Sequence, residues 1–451
     1  MNRLTLDHIR PCLEGAVPGT LATCDADGTP NVSYVSQVHY VDGEHVALSF
    51  QFFNKTRRNM QQNPQLTAYL IDPVTTARYR LALLYVRTET DGALFENMKA
   101  RLASIASHTG MSDVFVLKGA DVCRVLNIET IVCEVGPPAA NSLPWTSLLR
   151  TLCQRLAAQY DLASLLETTL DSLHELTGVQ QGMLLMADEA GQKLYALASM
   201  GYPDSGVGTE IPYDCGVIGV AARYRTPIRI NHMSSDYLYS EASRCGANAD
   251  PLLETGIPFP GLSAPQSQLA IPLVNGQRLQ GVLFLESEQE LAFDYQFEDA
   301  LMVLSHQLAQ TMASLHNLEK SLENSSTVQP GTATIPDPNL PPLQVRYFSA
   351  NHSVFIDDTY LIKGVAGRIL WRLLNIAQCE DRLVFSNREL RLDSSLGLPE
   401  IDDNLEARLI LLRRRLQEQC PAVQICKSGR GRFRLELQRP FVLSADSAGQ
   451  G

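Results

Sequence analysis

FSNRELRLDSSLGLPEIDDNLEARLILLRRRLQEQCPAVQICKSGRGRFRLEL, residues 385–437, is the stretch that decides how the C-terminal part of the chain folds. From Ile401 its apolar residues recur every three or four positions, which predicts an amphipathic helix with the stripe Ile401, Leu405, Leu409, Leu412 and Leu416. Two apolar runs typical of strands flank residues 428–431, where glycines favour a hairpin turn because they tolerate positive φ.

Arginines cluster on this helix and at the tip of the hairpin, which indicates a winged helix. The region resembles the winged-helix effector domains of bacterial two-component response regulators, and the matching residues are Glu-Ala-Arg-Leu at 406–409, Leu-Arg-Arg-Arg-Leu at 412–416 and Gly-Arg-Gly-Arg-Phe-Arg-Leu at 429–435. The resemblance covers residues 343–440, with a β-rich start at 345–362 and a first helix at 368–377. It implies DNA contacts from Arg408, Arg413, Arg414, Arg430 and Arg432.

The charge distribution agrees with a polyanion partner for this region. Residues 343–440 carry 16 Lys and Arg against 12 Asp and Glu, whereas the whole chain of 451 residues has a net charge of −12. Three carboxylates, Glu400, Asp402 and Asp403, stand at the front of the predicted helix. They would either repel phosphates there or complement the helix dipole.

The N-terminal part alternates in strand fashion and then carries the basic segment Asn-Lys-Thr-Arg-Arg-Asn-Met at 54–60. With Gly-Thr-Leu-Ala-Thr at 19–23, Asp-Gly-Thr-Pro at 27–30, a helix at 93–106 and a closing strand at 113–126, it resembles the FMN-binding split barrels of the pyridoxamine 5′-phosphate oxidase superfamily. The resemblance implies a dimer that holds the FMN phosphate with Lys55, Thr56, Arg57 and Arg58. Many flavin-binding relatives have Arg-Lys in place of Lys55-Thr56, and these cations could instead solvate an exposed helix.

The central part resembles a GAF domain. The matching residues are Ile-Pro-Tyr-Asp-Cys-Gly-Val-Ile-Gly-Val-Ala-Ala at 211–222, Thr-Pro-Ile-Arg-Ile-Asn at 226–231 and two buried strands around Asn275-Gly276. The family implies a small-molecule ligand of unknown identity near Cys215, Asn231 and His232. Cys215 and Cys245 could be bilin or redox thiols, but neither has a neighbouring His, which favours small core residues. His232 could be a haem ligand, but a solitary His is usually a polar loop residue.

Leucines at helical spacing predict helices over 145–177 and 293–323, and the second continues beyond its domain. It packs on its own sheet or pairs between protomers. Five prolines with Ser, Thr and Gly at 325–342 predict a linker. Ten cysteines without metal-ligand spacing predict free thiols, and no apolar run approaches membrane-span length, so we expect a cytoplasmic protein without a metal site.

Together these patterns predict a multidomain α+β protein. The expected units are a split β-barrel at 1–140, a central GAF α/β sensor domain with flanking dimerisation helices at 145–323, a linker at 324–342, a winged helix at 343–440 and a disordered tail at 441–451. The predicted function is a one-component sensor and transcriptional regulator that binds DNA as a homodimer. An FMN-dependent oxidoreductase regulated by its GAF domain is the alternative, and a set of protein-interaction modules is a third.

Overall fold

The structure of this protein is a computed structural model. It describes residues 4–15, 17–51, 55–73, 75–108, 117–132, 143–213, 215–231, 257–322, 340–398, 404–429 and 431–446. Within these ranges the chain folds into N-terminal, central and C-terminal domains in sequence order.

The N-terminal domain is one antiparallel sheet with two helices, preceded by a 3-10 helix at Leu6–Leu13. Its sheet has the order β2-β1-β5-β6-β7-β4-β3, and the half-barrel core inside it includes Leu21, Val46, Leu81 and Cys123. The elements are β1 (Gly19–Cys24), β2 (Pro30–Val35), β3 (Val38–Tyr40), β4 (His45–Phe50), α1 (Lys55–Gln62), β5 (Gln65–Ile71), β6 (Arg78–Glu89), α2 (Gly92–His108) and β7 (Gly119–Val132).

The central domain is a six-stranded antiparallel sheet of order β10-β9-β8-β13-β12-β11 with helices on both faces. Position 281 in β13 requires glycine because the neighbouring strand β8 lies close to it. A Cβ there would lie 2.1 Å from the Leu185 carbonyl oxygen. The elements are α3 (Trp145–Ala157), α4 (Leu162–Thr177), β8 (Gln181–Asp188), β9 (Lys193–Met200), β10 (Glu210–Pro212), α5 (Gly216–Tyr224), β11 (Ile228–Ile230), β12 (Ser267–Asn275), β13 (Arg278–Ser287) and α6 (Tyr295–Leu322).

The C-terminal domain has two small sheets around three helices. One sheet has the order β16-β15-β14-β20 and the other β17-β19-β18. The elements are β14 (Leu343–Phe348), β15 (Ser353–Ile356), β16 (Thr359–Ile362), α7 (Gly364–Glu380), β17 (Val384–Ser386), α8 (Asn387–Leu392), α9 (Leu405–Gln419), β18 (Val423–Lys427), β19 (Arg432–Leu437) and β20 (Phe441–Asp446).

Several boundaries differ from the sequence predictions. α9 begins at Leu405 rather than Ile401, because Asn404 before it adopts φ 44° and leaves the helical conformation. The closing strand β7 is Gly119–Val132 rather than 113–126. Residues 441–446, predicted as part of a disordered tail, form β20, which pairs in parallel with β14. The linker core, 323–339, lies outside the described residues.

The predicted seam of α6 packs mainly within its own domain. Leu301, Leu304, Leu308, Met312 and Leu315 are buried, whereas Leu318, on the last turns, is 48% exposed. The first part of the helix therefore follows the single-domain interpretation. Pairing between protomers through its end stays a prediction.

Candidate functional site

α9 is buried on more than one side, which a single amphipathic stripe did not predict. The expected stripe Leu405, Leu409, Leu412 and Leu416 is buried, but Ala407, Ile410, Leu411 and Arg415 are buried as well. A helix that is apolar on most sides is enclosed by its surroundings rather than exposed to solvent along one face. α9 therefore has two sets of neighbours.

Two of its arginines bind within the C-terminal domain. Arg413 Nε donates to the Ile425 carbonyl oxygen at 2.9 Å, and Arg415 Nε donates to the Leu361 carbonyl oxygen at 3.0 Å. These bonds attach α9 to β18 on one side and to β16 on the other. Arg413, predicted to contact DNA, has this structural partner, and its predicted contact stays a prediction.

The other two helix arginines bind the central domain. Arg408 donates to Asp188 Oδ2 at 3.3 Å, and the two side chains are 12% and 16% exposed. Arg414 donates to the Leu197 carbonyl oxygen at 2.5 Å and to Glu167 at 2.7 Å. Arg408 and Arg414 therefore both donate hydrogen bonds to acceptors of the central domain.

Further polar contacts surround these two arginines. Asn404 Nδ2 donates to the Ala187 carbonyl oxygen at 3.1 Å, and Ser205 Oγ donates to Glu418 at 2.6 Å. Two cations of the C-terminal domain face central-domain acids, at 3.4 Å for Lys363 with Glu210 and at 3.8 Å for Lys427 with Asp161. We use the name α9 junction for the surface formed by these contacts between the C-terminal domain and the central domain, including those of Arg408 and Arg414.

Of the two hairpin arginines, only Arg432 lies within the described residues. Arg432 begins β19, directly after the turn, whereas Arg430 lies outside the described residues. The carboxylates Glu400, Asp402 and Asp403 lie outside them too. The predicted repulsion between these acids and phosphate stays untested.

The predicted FMN residues lie on α1 but do not act as one cluster. Lys55 and Arg58 are exposed, whereas Thr56 is buried and bonded to Asn31 at 2.9 Å and to Ser33 at 2.8 Å. The Arg57 guanidinium lies 3.9 Å from the centre of the Phe50 ring. Lys55 and Arg58 are therefore the exposed cations of this set, whereas Arg57 is half-buried.

Two buried glutamines of the N-terminal domain, Gln37 and Gln51, have side-chain atoms without hydrogen-bond partners. The Gln37 side chain is 0% exposed, and neither its oxygen nor its nitrogen has a hydrogen-bond partner. Gln37 N donates to Ser49 Oγ at 3.1 Å, and Gln51, just before α1 in sequence, also reaches that oxygen while its own Oε1 stays unpartnered. Buried polar atoms without partners cost about 1–3 kcal/mol each, so this position suits a polar ligand.

The predicted GAF ligand residues have structural roles where they are described. Cys215 precedes α5 and is disulfide-bonded, so the expectation of a free thiol is wrong at this residue. Asn231 follows β11 and donates from Nδ2 to the Phe293 carbonyl oxygen at 2.6 Å, which fixes the segment before α6. His232 and Cys245 lie outside the described residues.

Sequence reasoning missed a buried ion cluster between the N-terminal and central domains. Arg101 of α2 and Arg229 of β11 both bind Glu14 and Glu298 of α6, at 3.0 Å for Arg101 with Glu298 and 2.6 Å for Arg229 with Glu14. Although burial opposes ionisation, the two guanidinium groups hold the pKa of Glu14 at about 2 and lower that of Glu298. One signal was available, since Arg229 stands between two isoleucines in a buried strand.

Family models match two of the three domains. Residues 5–122 match the model described as pyridoxamine 5′-phosphate oxidase, and residues 159–313 match the model described as GAF domain. The chain thus contains an N-terminal domain of the pyridoxamine 5′-phosphate oxidase type and a central GAF domain. No curated protein matches the chain.

Solved structures resemble these two domains separately. The GAF domain of a phosphoenolpyruvate-protein phosphotransferase from Acinetobacter is 21% identical over 40% of this chain and 98% of its own, with a TM-score of 0.32. A free methionine-R-sulfoxide reductase from Neisseria meningitidis is 20% identical over 40% and 96%, with a TM-score of 0.32. An FMN-binding protein from Syntrophomonas wolfei is 15% identical over 28% and 87%, with a TM-score of 0.24.

No helix among the described residues is long and apolar enough to cross a membrane. Within the same ranges, no group of three or more His, Cys, Asp or Glu side chains is placed to hold a metal ion.

Proposed function

We propose that this protein is a cytoplasmic one-component sensor and transcriptional regulator. The N-terminal and GAF domains receive a signal, in the form of a flavin or another small molecule, and the C-terminal domain binds DNA as a winged helix in a homodimer. The observation that carries the proposal is the order of the C-terminal elements. α7, α8 and α9 precede the β18–β19 hairpin, and β19 lies between β17 and β18.

The composition of this domain supports the same function. The domain carries an excess of cations in an otherwise acidic chain, and its hairpin turn has arginines at 430 and 432 around Gly431. Gly431 has φ 64°, a backbone conformation that glycine adopts without strain. Arginines on both sides of a glycine are a composition suited to backbone phosphates.

Replacing both hairpin arginines should weaken DNA binding without changing sequence preference. In Arg430→Ala/Arg432→Ala, the slope of log affinity against log salt should become shallower by about 2, since each lost phosphate contact removes about one released counterion. The measurement is fluorescence anisotropy with labelled duplexes at several salt concentrations. Unrelated duplexes should lose affinity alike because phosphate contacts carry no base information.

The matched control removes two exposed arginines from the N-terminal domain. Arg80 and Arg124 have side chains 54% and 57% exposed, so Arg80→Ala/Arg124→Ala changes the net charge equally. This variant should bind DNA as the unmodified protein does. Equal losses in the two variants would show a general charge effect and remove the hairpin from the proposal.

We further propose that the N-terminal domain holds FMN, with Lys55 and Arg58 on its phosphate. Two exposed cations on the first turn of α1, without an acidic residue in that turn, fit a phosphate group. The unpartnered carboxamide atoms of Gln37 and Gln51 offer donors and acceptors to a polar ring. Bound FMN would supply redox chemistry and give the regulator a redox input.

Lys55→Ala/Arg58→Ala should weaken FMN binding about tenfold or more, because hydrogen bonds to charged groups contribute about 1.5–3 kcal/mol. The measurement is quenching of flavin fluorescence during titration of the purified protein. Riboflavin, which lacks the phosphate, should bind the variant and the unmodified protein equally. A protein that stays colourless with added FMN, or an equal loss for riboflavin, would contradict this assignment.

A further inference from the structure

Two faces of α9 contact different domains. Leu405, Leu409, Leu412 and Leu416 recur at helical spacing and are buried in a core that contains residues of both the C-terminal and the central domain. A second row, Asn404, Arg408, Leu411 and Glu418, is spaced by four, three and seven residues and carries the contacts to the central domain. Such spacings place residues on one side of a helix. The side of α9 away from its own core therefore lies on the central domain.

We infer that the central domain covers the DNA-contacting face of α9, so that the C-terminal domain binds DNA by this helix only after it leaves the α9 junction. The inference rests on the proposed DNA-binding function. It concerns the regulation of that function, because docking on the central domain and docking on DNA compete for the same helix face.

The central domain offers α9 acceptors of the kind that DNA offers. Asp188 and Glu167 bind Arg408 and Arg414 as phosphate oxygens would. The Leu197 carbonyl oxygen is a third acceptor, and it is available because the β8–β9 register shifts at this position and gives Leu197 no partner residue in β8. The same N–H groups cannot serve both sets of acceptors.

Close packing excludes simultaneous binding as well. Leu411 Cδ1 lies 3.4 Å from the position that a Cβ on Gly208 would take, so α9 rests against the backbone of the central domain. Gly208 has φ 92°, which glycine tolerates. A recognition helix must enter a major groove about 12 Å wide, and no room for a duplex remains between surfaces in this contact.

The ion pair between Arg414 and Glu167 is the weaker of the two arginine pairs in the junction, because its acid is exposed. Glu167 is 63% exposed, and exposed ion pairs contribute about 0–1 kcal/mol each.

The test neutralises the two acids in the full-length protein. Asp188→Asn keeps the oxygen that accepts from Gly191 N, and Glu167→Gln keeps the length of the side chain. The matched control is Glu189→Gln/Glu175→Gln, which removes the same charge from the neighbouring residue and from the same helix α4. Glu175 is 62% exposed and binds Arg155 at 2.7 Å, as Glu167 binds Arg414 at 2.7 Å, but its partner lies within the central domain.

Two quantities are measured on each variant: amide hydrogen exchange of α9 and β13, and affinity for a labelled duplex by fluorescence anisotropy at one salt concentration. We expect Asp188→Asn/Glu167→Gln to speed exchange in α9, to leave β13 protected and to raise DNA affinity about fivefold or more. The control variant should change neither quantity. This combination would support the inference.

Three outcomes would overturn it, and they are distinguishable. If the unmodified protein binds DNA and the variant binds equally well despite faster α9 exchange, the proposed function stands but α9 is not the covered surface. If both double variants raise affinity equally, net charge is the cause. If neither the unmodified protein nor the variant binds any duplex, the proposed function fails, and the inference fails with it.

Discussion

Arg229→Met should lower the free energy of unfolding of the central domain by about 3–5 kcal/mol, the cost of removing one partner from a buried ion pair. The Arg229 side chain is 5% exposed and binds three acceptors: Glu14 at 2.6 Å, Glu298 at 2.5 Å and the Phe293 carbonyl oxygen at 3.0 Å. Met has a similar volume, so packing changes little. The loss arises because two buried carboxylates then share Arg101 alone.

Tryptophan fluorescence during urea unfolding can measure this loss. Trp145 packs edge-on against Phe297, at 5.0 Å between ring centroids, and Phe297 is next to Glu298 in the chain. A Trp371→Phe background removes the other tryptophan, so that Trp145 reports alone. The difference in free energy of unfolding between this background and its Arg229→Met derivative is the predicted quantity.

Arg225→Met is the control, because Arg225 lies in the same domain but is 45% exposed and pairs with the exposed Glu189. It should cost less than about 1 kcal/mol. Adding Glu298→Gln to Arg229→Met should recover part of the loss by removing one uncompensated carboxylate. A loss below about 1 kcal/mol in Arg229→Met would show that the cluster contributes little to stability.

Much of the fold could be predicted because each element has a local signal. The leucines of α3, α4 and α6 and the two apolar runs that form β18 and β19 are signals between residues near one another in sequence. α2, predicted at 93–106, is Gly92–His108. Where a turn or cap decides a boundary, as at Asn404, the periodic pattern did not indicate it.

The junctions between domains could not be predicted because their signals are non-local. Arg229 and Glu298 are 69 residues apart and Glu14 is more distant still, so no spacing relates them. Arg408 and Arg414 illustrate the same limit, since a basic row on a helix is compatible with DNA or with an acidic protein surface. Periodicity shows which residues share a face, but the partner of that face depends on the tertiary fold.

The buried ion cluster around Arg229 makes the stability of the protein depend on pH. The direction of this dependence follows from the lowered pKa values of its two glutamates. The pKa of Glu14 falls from 4.5 to about 2 on folding, since Arg101 and Arg229 outweigh the effect of burial. Its contribution, on the order of 3 kcal/mol, is present above pH 4.5 and is lost as pH falls toward 2, because the unfolded chain takes up the proton first. Glu14→Gln should therefore be less stable than the unmodified protein at pH 7, and this difference should disappear by about pH 2.

His39 adds a second pH-dependent loss of stability, which begins at a higher pH than the loss caused by Glu14. Burial and the nearby Arg101, Arg10 and Arg229 hold its pKa well below 6.5, and these outweigh the opposing effect of Glu14. Its neutral form stabilises the fold above pH 6.5, and that contribution is lost as pH falls further. His39→Leu should flatten the loss of stability that begins as pH falls below 6.5, whereas Glu14→Gln should act below 4.5. Urea unfolding at closely spaced pH values separates the two steps, and parallel curves for all three proteins would contradict both assignments.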